Sequence, residues 1–332
     1  MNRPRPLRWG VLGTGRLLEK IVEAFRLVND AALTAVASRD ADRARATAAR
    51  FSIPRAHPGY AALVADPDVD IVYNALHNGL HCEWTCRALA AGKHVLCEKP
   101  LACSSIEVDQ MFAAAATHRR WLMEAFMYRF HPQMAAARRL VDGGAIGRIL
   151  HIQSVRIALG RERTNPRYWP AAGGGALMDI GCYCVNFSRF FAGAEPHRVT
   201  AQAHLDPVTG VDLSFWGTLE FPHNPVAQFV CSFEGEPSYA AEIVGTEGRL
   251  LIPHPWLPPL WPAELVLTRH QQTETIPITA PATPRHALAP FVLELEHFAA
   301  CVREQRAPAM VTEEDSRANM RVIEALRQAA RA

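Results

Sequence analysis

The chain has 332 residues, 49% of them apolar and 20% charged, with a formal net charge of +2. These values fit a globular protein of about two domains and exclude a long disordered tail. The near-neutral balance and scattered arginines lack the basic patch of a nucleic-acid binder, and no apolar run approaches the roughly 18 residues that cross a bilayer, so nucleic acid and membrane are excluded as partners.

The N-terminal MNRPRPLRWGVLG passes from basic residues straight into a strand, without the apolar core and cleavage site of an export signal. The expected location is therefore cytoplasmic. Eight cysteines include no CxxC pair, and a chain of this size needs no disulfide staples, so they read as reduced thiols. Cys82 and Cys86, and Cys182 and Cys184, read as buried small hydrophobes, and no metal site is expected.

From Leu7 to Met127 the apolar runs RWGVLG, LTAVAS, DIVYNAL, HVLCE and LMEAFMY alternate with helical patterns. Continuous apolar runs are strands buried on both faces, so residues 1–127 are predicted to form a dinucleotide-binding Rossmann domain, a doubly wound parallel sheet. Its ligands would bind at the carboxyl ends of the strands. Residues 128–332 change pattern. A helix starts at Pro132, then the strand candidates ILHIQSVRIAL, RVTAQAHL, LSFWGTLEF, VAQFVCSF and AEIVGT follow in sequence. This predicts an α+β domain with a large open, mostly antiparallel sheet, interrupted by an insertion that leads through Gly173–Gly175 into a helix near 176–191. PHPWLPPLWPAE reads as an ordered surface loop between strands, and the last 40 or so residues return to helix.

Three motifs carry chemistry. Gly13-Thr14-Gly15-Arg16-Leu17-Leu18 follows the first strand and opens a helix, so its glycines let a pyrophosphate rest on the helix N-terminus. Leu18 stands where a third Gly or Ala is usual. At the end of the second strand an NAD site commonly places a carboxylate, whereas here Ser38 is followed by Arg39 and, one turn on, Arg43. A hydroxyl and guanidinium groups suit a 2′-phosphate, so NADP is the favoured cofactor, with NAD the alternative. The competing reading is that Ser38 or Asp40 caps the next helix and Arg39 is solvated.

The second motif is AGKHVLCEKPLA, in which Glu98 and Lys99 stand at the carboxyl end of a strand and Pro100 fixes the following turn. The third is GGGALMDIGCYCVNFSRFF. On a helix Asp179 and Tyr183 share a face, which Gly181 would keep open to a ligand. A core tyrosine with an aspartate in the first turn is the alternative.

GTGR, HNGLHCEW, AGKHVLCEKPLA, EAFMYRFHPQ and GGGALMDIGCY together resemble the Gfo/Idh/MocA oxidoreductases over nearly the whole chain. The Asp-x-x-x-Tyr ending is similar to the branch holding dimeric dihydrodiol dehydrogenase and NADP-dependent D-xylose 1-dehydrogenase; many other relatives carry histidine at the Tyr183 position. The resemblance implies an NADP-dependent sugar or diol dehydrogenase in which Lys99 and Tyr183 flank the substrate carbinol and Asp179 binds a substrate hydroxyl. Leu76, Asn78, His81 and Glu98 would help to place the cofactor whose phosphates the glycine loop holds. Arg129, Phe130, Arg167 and Trp169 are candidate substrate contacts; Arg156, Arg161 and Arg163, with Arg167 and Trp169, could line the pocket, and the sequence leaves open whether these arginines are instead cofactor contacts or plain surface. The resemblance also implies a homodimer or higher homo-oligomer paired through the second domain's sheet.

A tyrosine titrates near pH 10 when free, and a nearby ammonium favours its phenolate, so Tyr183 beside Lys99 would take the hydroxyl proton while Lys99 stabilises the developing charge. The sequence leaves open which of the two carries the proton. It also leaves open a keto-sugar, anhydrosugar or nucleotide-sugar 3-ketoreductase. A non-catalytic NADP-binding sensor is the distant alternative, and intact Lys99, Asp179 and Tyr183 argue against it.

Overall fold

The first sheet is assembled from six short segments: β1 (Leu7–Leu12), β2 (Ala31–Ser38), β3 (Arg55–Pro58), β4 (Ile71–Asn74), β5 (His94–Glu98) and β6 (Leu122–Ala125). All pair in parallel, in the order β3-β2-β1-β4-β5-β6. Trp9, Val11, Leu12, Val95, Leu96 and Cys97 are fully buried. Runs without polar alternation need cover on both faces, which α1 (Leu17–Phe25), α2 (Ala41–Phe51), α3 (Tyr60–Val64), α4 (His81–Ala90) and α5 (Ser105–His118) help to supply. Trp9 packs edge-on against Phe25 at 5.3 Å and against Phe298, from the helix Ala289–Glu304, at 6.0 Å. The strand order reverses between β1 and β4, which opens a crevice at the carboxyl ends of those strands.

The computed structural model describes residues 5–160, 162–223, 225–257, 263–278 and 289–331. It divides into one unit of Met1–Phe130 with Leu288–Arg317 and another of His131–Ala287 with Ala318–Ala332. Apolar runs do not reveal β3, whose Arg-Ala-His-Pro lies at the sheet edge, where a proline's missing N–H is tolerated. The run LMEAFMY is strand only to Ala125 and continues as a 3₁₀ turn, Met127–Phe130.

The second unit contains α6 (Pro132–Asp142), β7 (Ile149–Ile157), α7 (Cys182–Ala192), β8 (Arg198–Leu205), β9 (Asp212–Glu220), β10 (Val226–Ser232), β11 (Ser238–Gly245), β12 (Gly248–Ile252), β13 (Ala263–Arg269) and β14 (Gln272–Ile278). The eight strands form one sheet, ordered β14-β13-β12-β11-β7-β10-β9-β8, antiparallel except for the β7/β10 pair. Along β7, Ile152, Ser154 and Arg156 are buried while Gln153 is exposed. The face that bears Gln153, Gln228 and the exposed Trp216 holds a cavity of about 460 Å³. The chain ends in α8 (Ala289–Glu304) and α9 (Glu313–Ala329). Among the described residues no helix is long and apolar enough to cross a membrane.

Two local expectations need correction. The stretch expected as one helix is a π-helical turn, Leu177–Gly181, that runs into α7, and the open side of Gly181 is taken up by protein. A Cβ there would meet Cys231 Sγ at 2.7 Å and Leu177 Cδ1 at 3.0 Å, so this glycine lets the turn press onto β10. Nor is the described part of PHPWLPPLWPAE a surface loop throughout, because Trp256 is fully buried against Tyr183 and Phe187. Residues 258–262 lie outside the described residues.

Candidate active site

In the first unit the glycine loop is built by backbone. Gly13 has φ +105°, and a Cβ on it would meet Ala75 O at 2.9 Å, so only glycine lets β1 turn this closely past the end of β4. Gly15 has nothing within 4 Å of its Cβ position, and no side chain caps the start of α1 at Arg16. An open concavity at an uncapped helix start suits a pyrophosphate. Leu17 opens the helix and Leu18 is buried in the core. Thr14, Gly15, Arg16 and Arg43 line a cleft of about 290 Å³.

At the end of β2, Ser38 is buried and its Oγ accepts from Asp40 N at 3.3 Å. Asp40 is the true cap of α2: its carboxylate accepts from Arg43 N at 3.0 Å, which holds it below the usual carboxylate range. The side chains of Arg39 and Arg43 are exposed, and Arg39 also reaches the Tyr60 hydroxyl. These residues offer a dinucleotide donors and positive charge with the nearby acid engaged, which fits a phosphorylated ribose.

The loops after β4 and β5 are tied together by His81. It is fully buried, its Nδ1 lies 2.9 Å from Pro100 O and its Nε2 3.0 Å from Leu76 O. Burial pulls its pKa down to about 4, so the ring is neutral and donates to one carbonyl at a time. His81 thus braces the carbonyls of Leu76 and Pro100. Asn74, also fully buried, donates to His81 O at 3.2 Å and Thr85 Oγ1 at 3.1 Å. Asn78 begins the 3₁₀ turn Asn78–Leu80 that leads into α4. Glu98 Oε1 accepts from Tyr73 Oη at 2.6 Å, and half-buried Lys99 follows it. Beyond, Leu101 N donates to Glu124 Oε1 at 2.9 Å, and Ser104 caps α5 by accepting from Glu107 N at 3.2 Å.

Three participants escape sequence reasoning here. Tyr73 and Asn74 sit inside an apolar run and read as strand. Glu294 of α8 is fully buried, neither of its oxygens has a hydrogen-bond partner, and burial and the Glu98 charge push its carboxyl well above its ordinary range. Its only sequence signal is an acid on the apolar face of a helix.

In the second unit Asp179 lies in the π turn, paired with Arg167 Nε at 3.0 Å. Tyr183 is 5% exposed, with Trp256 tilted against its ring at 5.9 Å and the Arg156 guanidinium over its face at 4.3 Å. Asp212 of β9 anchors the turn, since Leu177 N donates to its Oδ2 at 2.6 Å, and burial raises its pKa to about 6. Gly175, at φ +116°, leaves room for that carboxylate.

Among the described residues, the other expected substrate contacts each have partners within the protein. Arg129 pairs with Asp315 at 3.0 Å and Phe130 packs on His297 at 5.2 Å, both within the first unit. Arg163 grips Asp206 through two bonds of 3.0 and 2.9 Å, and Trp169, 42% exposed, donates to Arg163 O at 3.1 Å. Arg161 lies outside the described residues.

Residues 7–126 match the oxidoreductase family with an NAD-binding Rossmann fold, and residues 134–251 match the GFO/IDH/MocA C-terminal domain. A D-xylose 1-dehydrogenase (NADP(+)) of Haloferax volcanii is 36% identical over 327 residues, 98% of this chain and 97% of the relative. The trans-1,2-dihydrobenzene-1,2-diol dehydrogenase of Bos taurus is 33% identical over 278 residues, 82% and 80% of the two chains. A solved 3-ketoreductase from Actinomadura kijaniata, in complex with NADP and TDP-benzene, is similar at a TM-score of 0.91 and 30% identity over 98% of each chain. With both sheets in the expected topology and both halves matched, the chain belongs to the Gfo/Idh/MocA family of nicotinamide-dependent oxidoreductases.

Proposed function

We propose that this protein is an NADP-dependent dehydrogenase acting on a carbinol carbon of a sugar or cyclic diol, as an aldose (D-xylose-like) 1-dehydrogenase or a trans-dihydrodiol dehydrogenase. The observation that carries this reading is similarity along 98% of the chain to an NADP-dependent D-xylose 1-dehydrogenase, in a sequence that keeps Lys99, Asp179 and Tyr183. A second reading, reduction of a keto-sugar, is favoured by the 3-ketoreductase fold match. It uses the same groups in reverse. That enzyme has been crystallised with a lysine changed to alanine or glutamate and with a tyrosine changed to phenylalanine, the two residue types assigned roles here.

When bound, NADP(H) would supply hydride transfer to or from the substrate's carbinol carbon. The Tyr183 hydroxyl, as phenolate, takes the proton from the substrate hydroxyl, and Lys99 Nζ stabilises the charge that develops on the same oxygen. Asp179, its carboxylate steadied by Arg167, accepts a hydrogen bond from a neighbouring hydroxyl. Gly13, Thr14, Gly15, Arg16 and Leu17 hold the pyrophosphate, while Ser38, Arg39 and Arg43 hold the 2′-phosphate. Leu76, Asn78 and Glu98 shape the nicotinamide end, with His81 bracing the loops from behind. Trp169 and Phe130 border the substrate, and Arg129 supports that border from its pair with Asp315.

The open face of the second sheet, with Trp216 46% exposed, supports a homodimer or higher homo-oligomer paired through it. We place the enzyme in the cytoplasm, where its free thiols stay reduced. The test is a spectrophotometric panel of aldoses, dihydrodiols and keto-sugars with both cofactors. Turnover of an aldose or diol with NADP is expected; tight NADPH binding with no turnover of any member would make the protein a sensor instead.

A further inference from the structure

Arg156 of β7 is 8% exposed, and its Nε and Nη1 are buried without a hydrogen-bond partner. Among the described residues no carboxylate lies within ion-pair distance of it, whereas Arg167, Arg163, Arg189 and Arg129 each have one. A guanidinium cannot shed its charge when buried, so an uncompensated one needs an electron-rich neighbour. Arg156 has two: the Tyr183 ring at 4.3 Å and, more distantly, the Tyr239 ring of β11 at 5.9 Å.

The thiols that face Arg156, and two further groups beside Tyr183 in this unit, bring little charge of their own. Cys231, from β10, and Cys184, from α7 itself, are thiols that burial keeps protonated, the latter pushed up to about 11. Asp179, from the π turn, is countered by Arg167, and Trp256 is an uncharged indole. Within this unit Arg156 is therefore the buried charge stacked on the phenol without an acid of its own.

We propose that Arg156 is a positioning residue for the reaction: its guanidinium clamps the Tyr183 ring and becomes the counter-ion of the phenolate when the hydroxyl proton leaves. A cation over the ring steadies the neutral phenol through its π face, and the same cation gains far more once the ring system bears a full negative charge. The clamp also fixes the ring's orientation between Arg156 and Trp256. This inference rests on the proton-transfer role proposed above for Tyr183.

Two readouts separate it from that role. The first is the ultraviolet difference titration of the Tyr183 phenolate in the cofactor-free protein, isolated by subtracting the matching protein that carries Tyr183→Phe. The second is the pH profile of kcat in the oxidative direction. In Arg156→Met both midpoints are expected to move to higher pH by roughly one unit, which is about a tenfold loss of turnover below the midpoint, with the high-pH plateau largely retained. Arg156→Lys, which keeps the charge but not the planar stack, should recover part of the shift. Arg156→Gln serves as the neutral variant if the methionine protein does not fold. A phenolate midpoint that stays in place in whichever neutral variant folds, with kcat lowered equally at every pH, would reduce Arg156 to packing and overturn the proposal. Full turnover in Tyr183→Phe alone would instead overturn the role of Tyr183, and the ultraviolet titration would still report what Arg156 does to the phenol.

Discussion

The two regions that carry candidate catalytic residues are built in opposite ways. Around β1, β4 and β5 the first unit positions its groups with main chain: a glycine at positive φ against Ala75 O, and a neutral His81 between two carbonyls. Around α7 the second unit uses side chains, several of them ionisable and buried: Arg156 on Tyr183, Arg167 on Asp179, and Asp212 under Leu177 N. Backbone sites cradle a constant ligand, since every dinucleotide brings the same phosphates. Side-chain sites set charge and shape, and these are what differ from one substrate to the next.

The comparison can be broken or sharpened by substitution. The largest effect is expected for Tyr183→Phe, which removes one hydroxyl: kcat should fall about 10² to 10⁴-fold, the usual worth of general acid/base catalysis, while NADPH affinity measured by cofactor fluorescence stays unchanged. Near-normal turnover would show that the second region supplies only binding. Next in size is Ser38→Asp, which puts a carboxylate where the first region offers a hydroxyl. The ratio of kcat/KM for NADP to that for NAD should drop by about tenfold or more, roughly 1.4 kcal/mol. An unchanged ratio would mean that Arg39 and Arg43 alone read the phosphate or that it binds elsewhere.

The third effect, on stability rather than turnover, concerns Asp212. Its carboxyl is raised from 3.8 to about 6, chiefly by burial. Between these values the folded protein holds a proton that the unfolded chain has released, so wild-type stability falls as pH rises from about 4 to about 6 and then levels. Asp212→Asn keeps an oxygen for Leu177 N and removes the titration, so its Tm should gain on wild type across that window. The gain corresponds to roughly 1–3 kcal/mol at the neutral end, at 1.36 kcal/mol per unit. Parallel Tm curves would show that Asp212 does not carry a buried charge at neutral pH.

The same contrast explains what could be read from sequence. The parallel sheet was legible because doubly covered strands are unbroken apolar runs, and GTGR and CEKP were legible because a backbone site leaves its glycines and proline in one local stretch. β3 was hidden, since an edge strand needs no apolar pattern. In the second unit the pair Asp179 and Tyr183 was visible through its spacing, but the π turn was not, because it depends on how Gly181 meets Cys231 across the sheet. Arg156 was visible as an arginine but not as a clamp: it reaches Tyr183 only through the packing of α7 on β7. Trp256 was misread for the same reason. A proline-rich stretch signals a loop, and nothing local says that its tryptophan fills the core beside Phe187.

The central claim is that Lys99 and Tyr183 act on one substrate oxygen. A double-mutant cycle on kcat/KM with Lys99→Met and Tyr183→Phe tests it most directly. If the two work as a unit, the double variant should be little slower than the slower single variant. Losses that multiply, each unaffected by the presence of the other, would contradict the claim.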